Sequence, residues 1–167
     1  MEGRTVSKLD KSGWGSRIRS QRFRAVPPST ASAASEDQVR NLASSLNHPI
    51  FWVGKRAGIT YELTNASNGN VYVRSLPPRV AVGSPKAYLS VATYPFPNAY
   101  AATKRLTKQD NIEQVSAPGG GVAVVNNGYP LSIHLAYPGS DYQVEVFDPS
   151  AATARALVSS GQVQAIG

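Results

Sequence analysis

The chain contains no cysteine, which excludes structural disulfides, thiolate nucleophiles and thiolate metal sites while leaving the redox compartment open. It also lacks any apolar run approaching the ~20 residues needed to cross a bilayer. Nothing supplies the apolar core of a signal peptide, about 7–15 residues long, and these two absences favour a cytoplasmic address. No Gly-x-Ser-x-Gly stands at a strand–helix turn. No Gly-Lys-Ser/Thr follows Gly119-Gly120-Gly121, and no helix start lies behind it, so the triple glycine reads as a turn and not as a phosphate cradle. His48 and His134 share no metal-ligand spacing with carboxylates. The expectation is a chain with no cofactor and no metal.

What is present divides at Ser35. Of the 167 residues, the first 34 are Ser/Pro-rich and almost without apolar pattern; the remaining 133 alternate strand and helix signals. Charge follows the same division. The formal net charge is +7. Residues 1–34 hold Arg4, Lys8, Lys11, Arg17, Arg19, Arg22 and Arg24 against Glu2 and Asp10, so that +5 of it lies there and +2 in the rest. The expected organisation is a basic, disordered tail and linker over 1–34 and one α+β domain over 35–167. A domain of ~130 residues buries enough surface to fold without a disulfide or metal staple. Too few apolar residues occur in the tail to offset the entropy of ordering it. Arg17, Arg19, Arg22 and Arg24 interleave with Ile18 and Phe23, near Trp14, a composition that suits phosphates and bases or an anionic membrane surface.

The domain opens on a helix. Ser35 caps it, Gln38 reaches back, and Glu36 and Asp37 suit the positive end of the dipole. Val39, Leu42, Ala43 and Leu46 share one face, and Asn47-His48-Pro49 ends the run. Ile50 to Val53 reads as a short buried strand. The next two strands form a hairpin. Tyr61 and Leu63 share a face with Val71 and Val73 only if opposed residue numbers sum to an even value. A three-residue Ser67-Asn68-Gly69 loop, with Gly69 left-handed, meets that condition. Glu62 then lies opposite Arg74, and Thr64 opposite Tyr72.

After a Pro-rich loop from Leu76 to Pro85, Tyr88 to Tyr94 reads as a strand, and Asn98 is expected to cap a helix reaching Leu106. Ile112 to Ala117 and Val122 to Val125 are strands. Leu131 to Phe147 forms a second hairpin around the Pro138-Gly139-Ser140-Asp141 turn. Its register puts Ile133, Leu135, Tyr137, Tyr142, Val144 and Val146 on one face, and His134 opposite Glu145 on the other. Asp148-Pro149 is expected to cap and start a last helix, stopped at Gly161, and Val163 to Ile166 adds a closing strand. The class is α+β: an antiparallel sheet with one solvated face and helices packed on the other. Tyr94-Pro95 and Phe147-Asp148-Pro149 precede the two inner helices alike. A shift of 51 residues lays Ala101/Leu106 near Ala152/Leu157, which suggests an internal ββββα duplication.

The strongest chemical constellation is a polar surface cluster on the solvated face: Glu62, Arg74, His134 and Glu145. A histidine oriented by a carboxylate is a general-base arrangement, yet such pairs are also ordinary cross-strand contacts. No catalytic residue is assigned.

His48-Pro49-Ile50-Phe51-Trp52-Val53-Gly54, Thr60-Tyr61-Glu62-Leu63-Thr64, Val71-Tyr72-Val73-Arg74-Ser75-Leu76-Pro77 and Tyr142-Gln143-Val144-Glu145-Val146-Phe147-Asp148-Pro149 resemble an uncharacterised family of bacterial, chiefly actinobacterial, small-domain proteins. So does Ser132-Ile133-His134-Leu135-Ala136-Tyr137-Pro138-Gly139. The resemblance spans about residues 35–167. It implies a single small domain, often set behind a membrane anchor or export segment, and no activity. Three functional expectations remain: a non-catalytic binding domain with a protein partner; association with nucleic acid or an anionic membrane surface through the basic tail; and an enzyme using His134 and Glu145.

Overall fold

The computed structural model describes residues 31–167. Residues 1–30 of the expected basic tail, with Arg17, Arg19, Arg22 and Arg24, lie outside the described residues. The elements run β1 (Ser32–Ala34), α1 (Glu36–Leu46), β2 (Ile50–Trp52), β3 (Thr60–Asn65), β4 (Val71–Leu76), β5 (Ser90–Pro95), α2 (Ala99–Leu106), β6 (Ile112–Val115), β7 (Val122–Asn126), β8 (Ser132–Ala136), β9 (Tyr142–Phe147), α3 (Ala151–Ser159) and β10 (Gln164–Ile166). Eight strands form one antiparallel sheet in the order β1-β3-β4-β5-β9-β8-β7-β6, while β10 and β2 pair separately. The class is α+β.

Local signals set most of these boundaries. The Ser35 hydroxyl accepts from the Gln38 backbone N–H, and the Gln38 side chain accepts from the Ser35 N–H at 2.7 Å, which completes the capping box. Asn47 ends α1 in the left-handed conformation, at φ 52. The β3–β4 register is the even-sum one, with Glu62 opposite Arg74, Leu63 opposite Val73 and Thr64 opposite Tyr72. Gly69 sits at φ 82 within the turn and donates to the Ala66 carbonyl. Gly119 and Gly120 take positive φ in the turn before β7, and a Cβ on Gly121 would stand 3.1 Å from both the Leu135 and Tyr137 side chains. Tight chain reversal and close packing therefore account for the triple glycine.

Two expected caps differ. Asn98 makes no side-chain cap bond; it is left-handed, and its N–H donates to Asp141 instead. Ser150, not Asp148, caps α3 by accepting from Thr153, while Asp148 accepts from the Ser150 N–H in a local turn. The fold also begins earlier than Ser35, because Ser32–Ala34 pairs with β3. Three small residues carry no alternating pattern, so their pairing depends on the open backbone groups of β3 and not on their own side chains.

One face of the sheet is the apolar one expected. Phe51, Val91, Ala123, Val125, Ile133, Leu135, Val144 and Val146 pack with Ala154, Leu157 and Val158 of α3. Val39 and Ala43 of α1 join Ile50, Trp52, Tyr61, Val71, Val73 and Ile166 in an adjoining cluster. Each such aliphatic side chain contributes about 1.5–3 kcal/mol on burial.

The opposite face is not solvated. Helix α2 lies on it: Ala99 packs with Val122 and Ala136, and Thr103 bonds Gln143. The helices thus occupy both faces. The reason is in β7, whose Val122 to Val125 are all buried, so that a second cover is needed on the face of Val122 and Val124. This placement also bears on the repeat. Two antiparallel meanders meet at β5–β9, and a two-fold relating such adjacent antiparallel strands leaves each face where it is. Strand order fits that symmetry, but α2 and α3 break it by covering opposite faces.

Candidate functional site

The β5–β9 pairing brings both candidate pairs onto one face of one sheet. Arg74 is opposite both Glu62 and Ser90, and Ser90 is opposite Phe147. In the neighbouring row, Tyr72 is opposite Ala92, Ala92 opposite Glu145, and Glu145 opposite His134. β4 and β9 lie two strand spacings apart, about 10 Å, so Glu62–Arg74 and His134–Glu145 are neighbouring pairs and not one contact set.

The expectation of a solvent-facing cluster is corrected at all four residues. Glu62 is 1% exposed, Arg74 5%, His134 4% and Glu145 7%. Over Glu62 and Arg74 the cover is the β4–β5 connection, residues 77–89. Arg74 Nη1 donates to Glu62 Oε1 at 2.5 Å. Its Nη2 donates to the Ser84 and Lys86 carbonyls at 3.0 and 2.9 Å. Glu62 Oε2 accepts from the Gly83 N–H at 2.6 Å. The Arg74 guanidinium also lies 5.9 Å from the centre of the Tyr88 ring. Two side chains on adjacent strands therefore satisfy three backbone groups of a loop with little internal bonding of its own. A buried ion pair needs such additional partners, because desolvation otherwise exceeds the mutual attraction.

At the second pair, the Tyr94 hydroxyl donates to Glu145 Oε2 at 2.6 Å, and both groups are buried. Burial and the adjacent Glu145 carboxylate push the Tyr94 hydroxyl far above the ordinary tyrosine pKa, so it remains a donor. Tyr72 crosses the Tyr94 ring edge-on, with centroids 6.0 Å apart. Burial lowers the pKa of His134, against the opposing pull of Glu145; the imidazole is held neutral. Gln143 extends this polar layer toward α2 by donating to the Thr103 hydroxyl at 3.0 Å.

Chemically the layer can anchor: it ties the loop and α2 to the sheet through hydrogen bonds satisfied away from water. A general base must reach the proton it takes, and His134 is enclosed. The sequence reading missed Tyr94, Gln143, Thr103 and Gly83. Strand alternation puts Tyr94 on the same face as Ser90 and Ala92, a signal that was available; the partner of Tyr94, 51 residues away, was not. His48 lies elsewhere, with Nδ1–H donating to the Pro49 carbonyl and its ring tilted against Tyr142 at 4.9 Å.

Among the described residues, no group of three histidine or carboxylate side chains is placed to hold a metal ion. No helix among them is long and apolar enough to cross a membrane. The large apolar side chains left exposed there are Tyr129 and Leu131, in the β7–β8 turn. Comparison of the chain with models of protein families, with curated proteins and with solved structures finds no match.

Proposed function

We propose that the protein is a non-catalytic binding domain that engages a protein partner and carries a basic N-terminal arm. The observation behind this reading is the commitment of Glu62, Arg74 and Glu145 to bonds inside the fold. Groups held in this way shape a surface and are poorly placed to move protons for a substrate. With the polar sheet face covered, a partner would meet the elements outside it: α2, the β4–β5 loop and the turn bearing Tyr129 and Leu131. The resemblance to the actinobacterial small-domain family agrees with a domain of this kind, and a cytoplasmic address is part of the proposal. The enzyme reading through His134 and Glu145 is the weaker one, given their burial.

The basic arm supports a second reading, association with nucleic acid or an anionic membrane surface, because it holds +5 of the +7 net charge. One experiment separates the two. The full chain and its Arg17→Ser/Arg19→Ser/Arg22→Ser/Arg24→Ser variant are used to capture partners from native lysate across a salt series, with and without nuclease. A protein retained equally by both chains, at high salt and after nuclease, supports the binding domain. Capture lost in the variant and abolished by salt or nuclease makes the arm the functional element.

A further inference from the structure

The β4–β5 connection is fixed in an unusual way. It leaves β4 through Pro77 and Pro78 and returns through Pro85. Its internal hydrogen bonds run from Val80 N–H to the Pro77 carbonyl and from Ser84 N–H to the Ala81 carbonyl, with a long 3.4 Å contact from Lys86 N–H to the Ser84 hydroxyl. Its tip is tied to the sheet by Glu62 and Arg74, through Gly83, Ser84 and Lys86. Arg79 and Gly83 take positive φ, at 68 and 82, the conformation that non-glycine residues adopt at a cost. Arg74 Nε is buried without a hydrogen-bond partner, so even the closed arrangement leaves one donor unmet.

We propose that residues 77–88 form a strap that opens and closes as a unit, with the Glu62–Arg74 pair as its clasp. Opening admits water to two buried charges and to the orphaned Nε, which offsets part of the bonds given up. The sheet beneath stays paired, because the β3–β4 and β4–β5 ladders, and the Ser75 N–H bond to the Leu89 carbonyl that extends the latter, lie outside residues 77–88. In this arrangement, the charged pair is concealed when the strap is closed and presented when it opens. The inference does not depend on what the protein binds.

Native-state amide hydrogen exchange on the full chain tests it. In the wild-type protein, the Gly83 amide should exchange through a local opening insensitive to low denaturant, while amides of β8 and β9 exchange through global unfolding. Arg74→Lys and Glu62→Gln should speed Gly83 exchange roughly 10- to 100-fold, the loss expected for charge-assisted bonds, and leave β8 and β9 unchanged. Gly83→Ala strains the strap while keeping the pair, and serves if the pair variants do not fold. Trypsin should then cut faster after Arg79 or Lys86, both exposed, with β9 still protected. The strap is overturned if wild-type Gly83 follows the sheet amides in denaturant dependence. It is equally overturned if the pair variants leave Gly83 unchanged, if they loosen all strands alike, or if Gly83→Ala leaves cleavage at its wild-type rate.

Discussion

Tyr94 on β5 donates its hydroxyl to Glu145 on β9 at 2.6 Å, although the backbone partner of Glu145 is Ala92. The bond runs diagonally across the strand pair that joins the two meanders. It therefore pins a junction that no hairpin supplies, between two strands far apart in the chain. It also gives a buried carboxylate a donor that burial keeps protonated.

Tyr94→Phe removes that donor and leaves Glu145 short of a partner. The expected cost is about 1–3 kcal/mol of folding stability, the penalty of stranding a buried polar group. Urea unfolding of the variant measures it, and a midpoint equal to wild type would mean that the bond contributes nothing.

His134 should make stability depend on pH. Its pKa falls on folding because of burial, so the unfolded chain binds the proton more readily than the native one. Its contribution is fully present above the ordinary histidine value of about 6.5 and is lost as pH falls below it toward the folded value. Glu145 opposes the shift, and the Tyr94 hydroxyl beside Glu145 stays protonated throughout this range. Unfolding free energies between pH 8 and pH 5 should drop more steeply for wild type than for His134→Gln. Parallel curves would remove His134 as the cause; His48, present in both proteins, cancels.

Thr103→Val should loosen α2. The substitution keeps the shape of a fully buried residue but removes the oxygen that accepts from Gln143. A loss of about 1–3 kcal/mol is expected, with Thr103→Ser recovering most of it. If valine and serine behave alike in thermal unfolding, the bond does not hold the helix.

Arg155 clasps Glu113 with two hydrogen bonds, at 2.7 and 2.8 Å, between α3 and β6. The bond from Arg155 holds the Glu113 carboxyl below its usual pKa. Carboxyl-carbon NMR titration should find Glu113 shifted downward in wild type and returned to the ordinary range in Arg155→Ala. Because the pair is exposed, the unfolding midpoint should hardly change. A Glu113 titration unaffected by Arg155→Ala would show that the pair is not populated in solution.

Much of the fold was legible in short stretches of chain. The Ser35/Gln38 capping box, the Ser67-Asn68-Gly69 turn, and the Glu62–Arg74 and His134–Glu145 oppositions all follow from contacts within about 15 residues. Turn geometry and the two-residue strand period leave few alternatives over that range. The same period separated the apolar set of Ile133, Leu135, Val144 and Val146 from its polar counterpart.

Tertiary structure decided what the polar counterpart became. Alternation says that Glu62, Arg74, His134 and Glu145 share a face, but it is silent on whether water or protein lies against that face. The answer depends on where residues 77–89 and α2 fold back, and on β9 pairing with β5 across the intervening α2, β6, β7 and β8. Those choices come from satisfying buried backbone and side-chain groups in three dimensions, and their partners leave no local pattern. Strand alternation and turn geometry settled which side chains stand together. The fold determined that they stand inside, where they hold the structure.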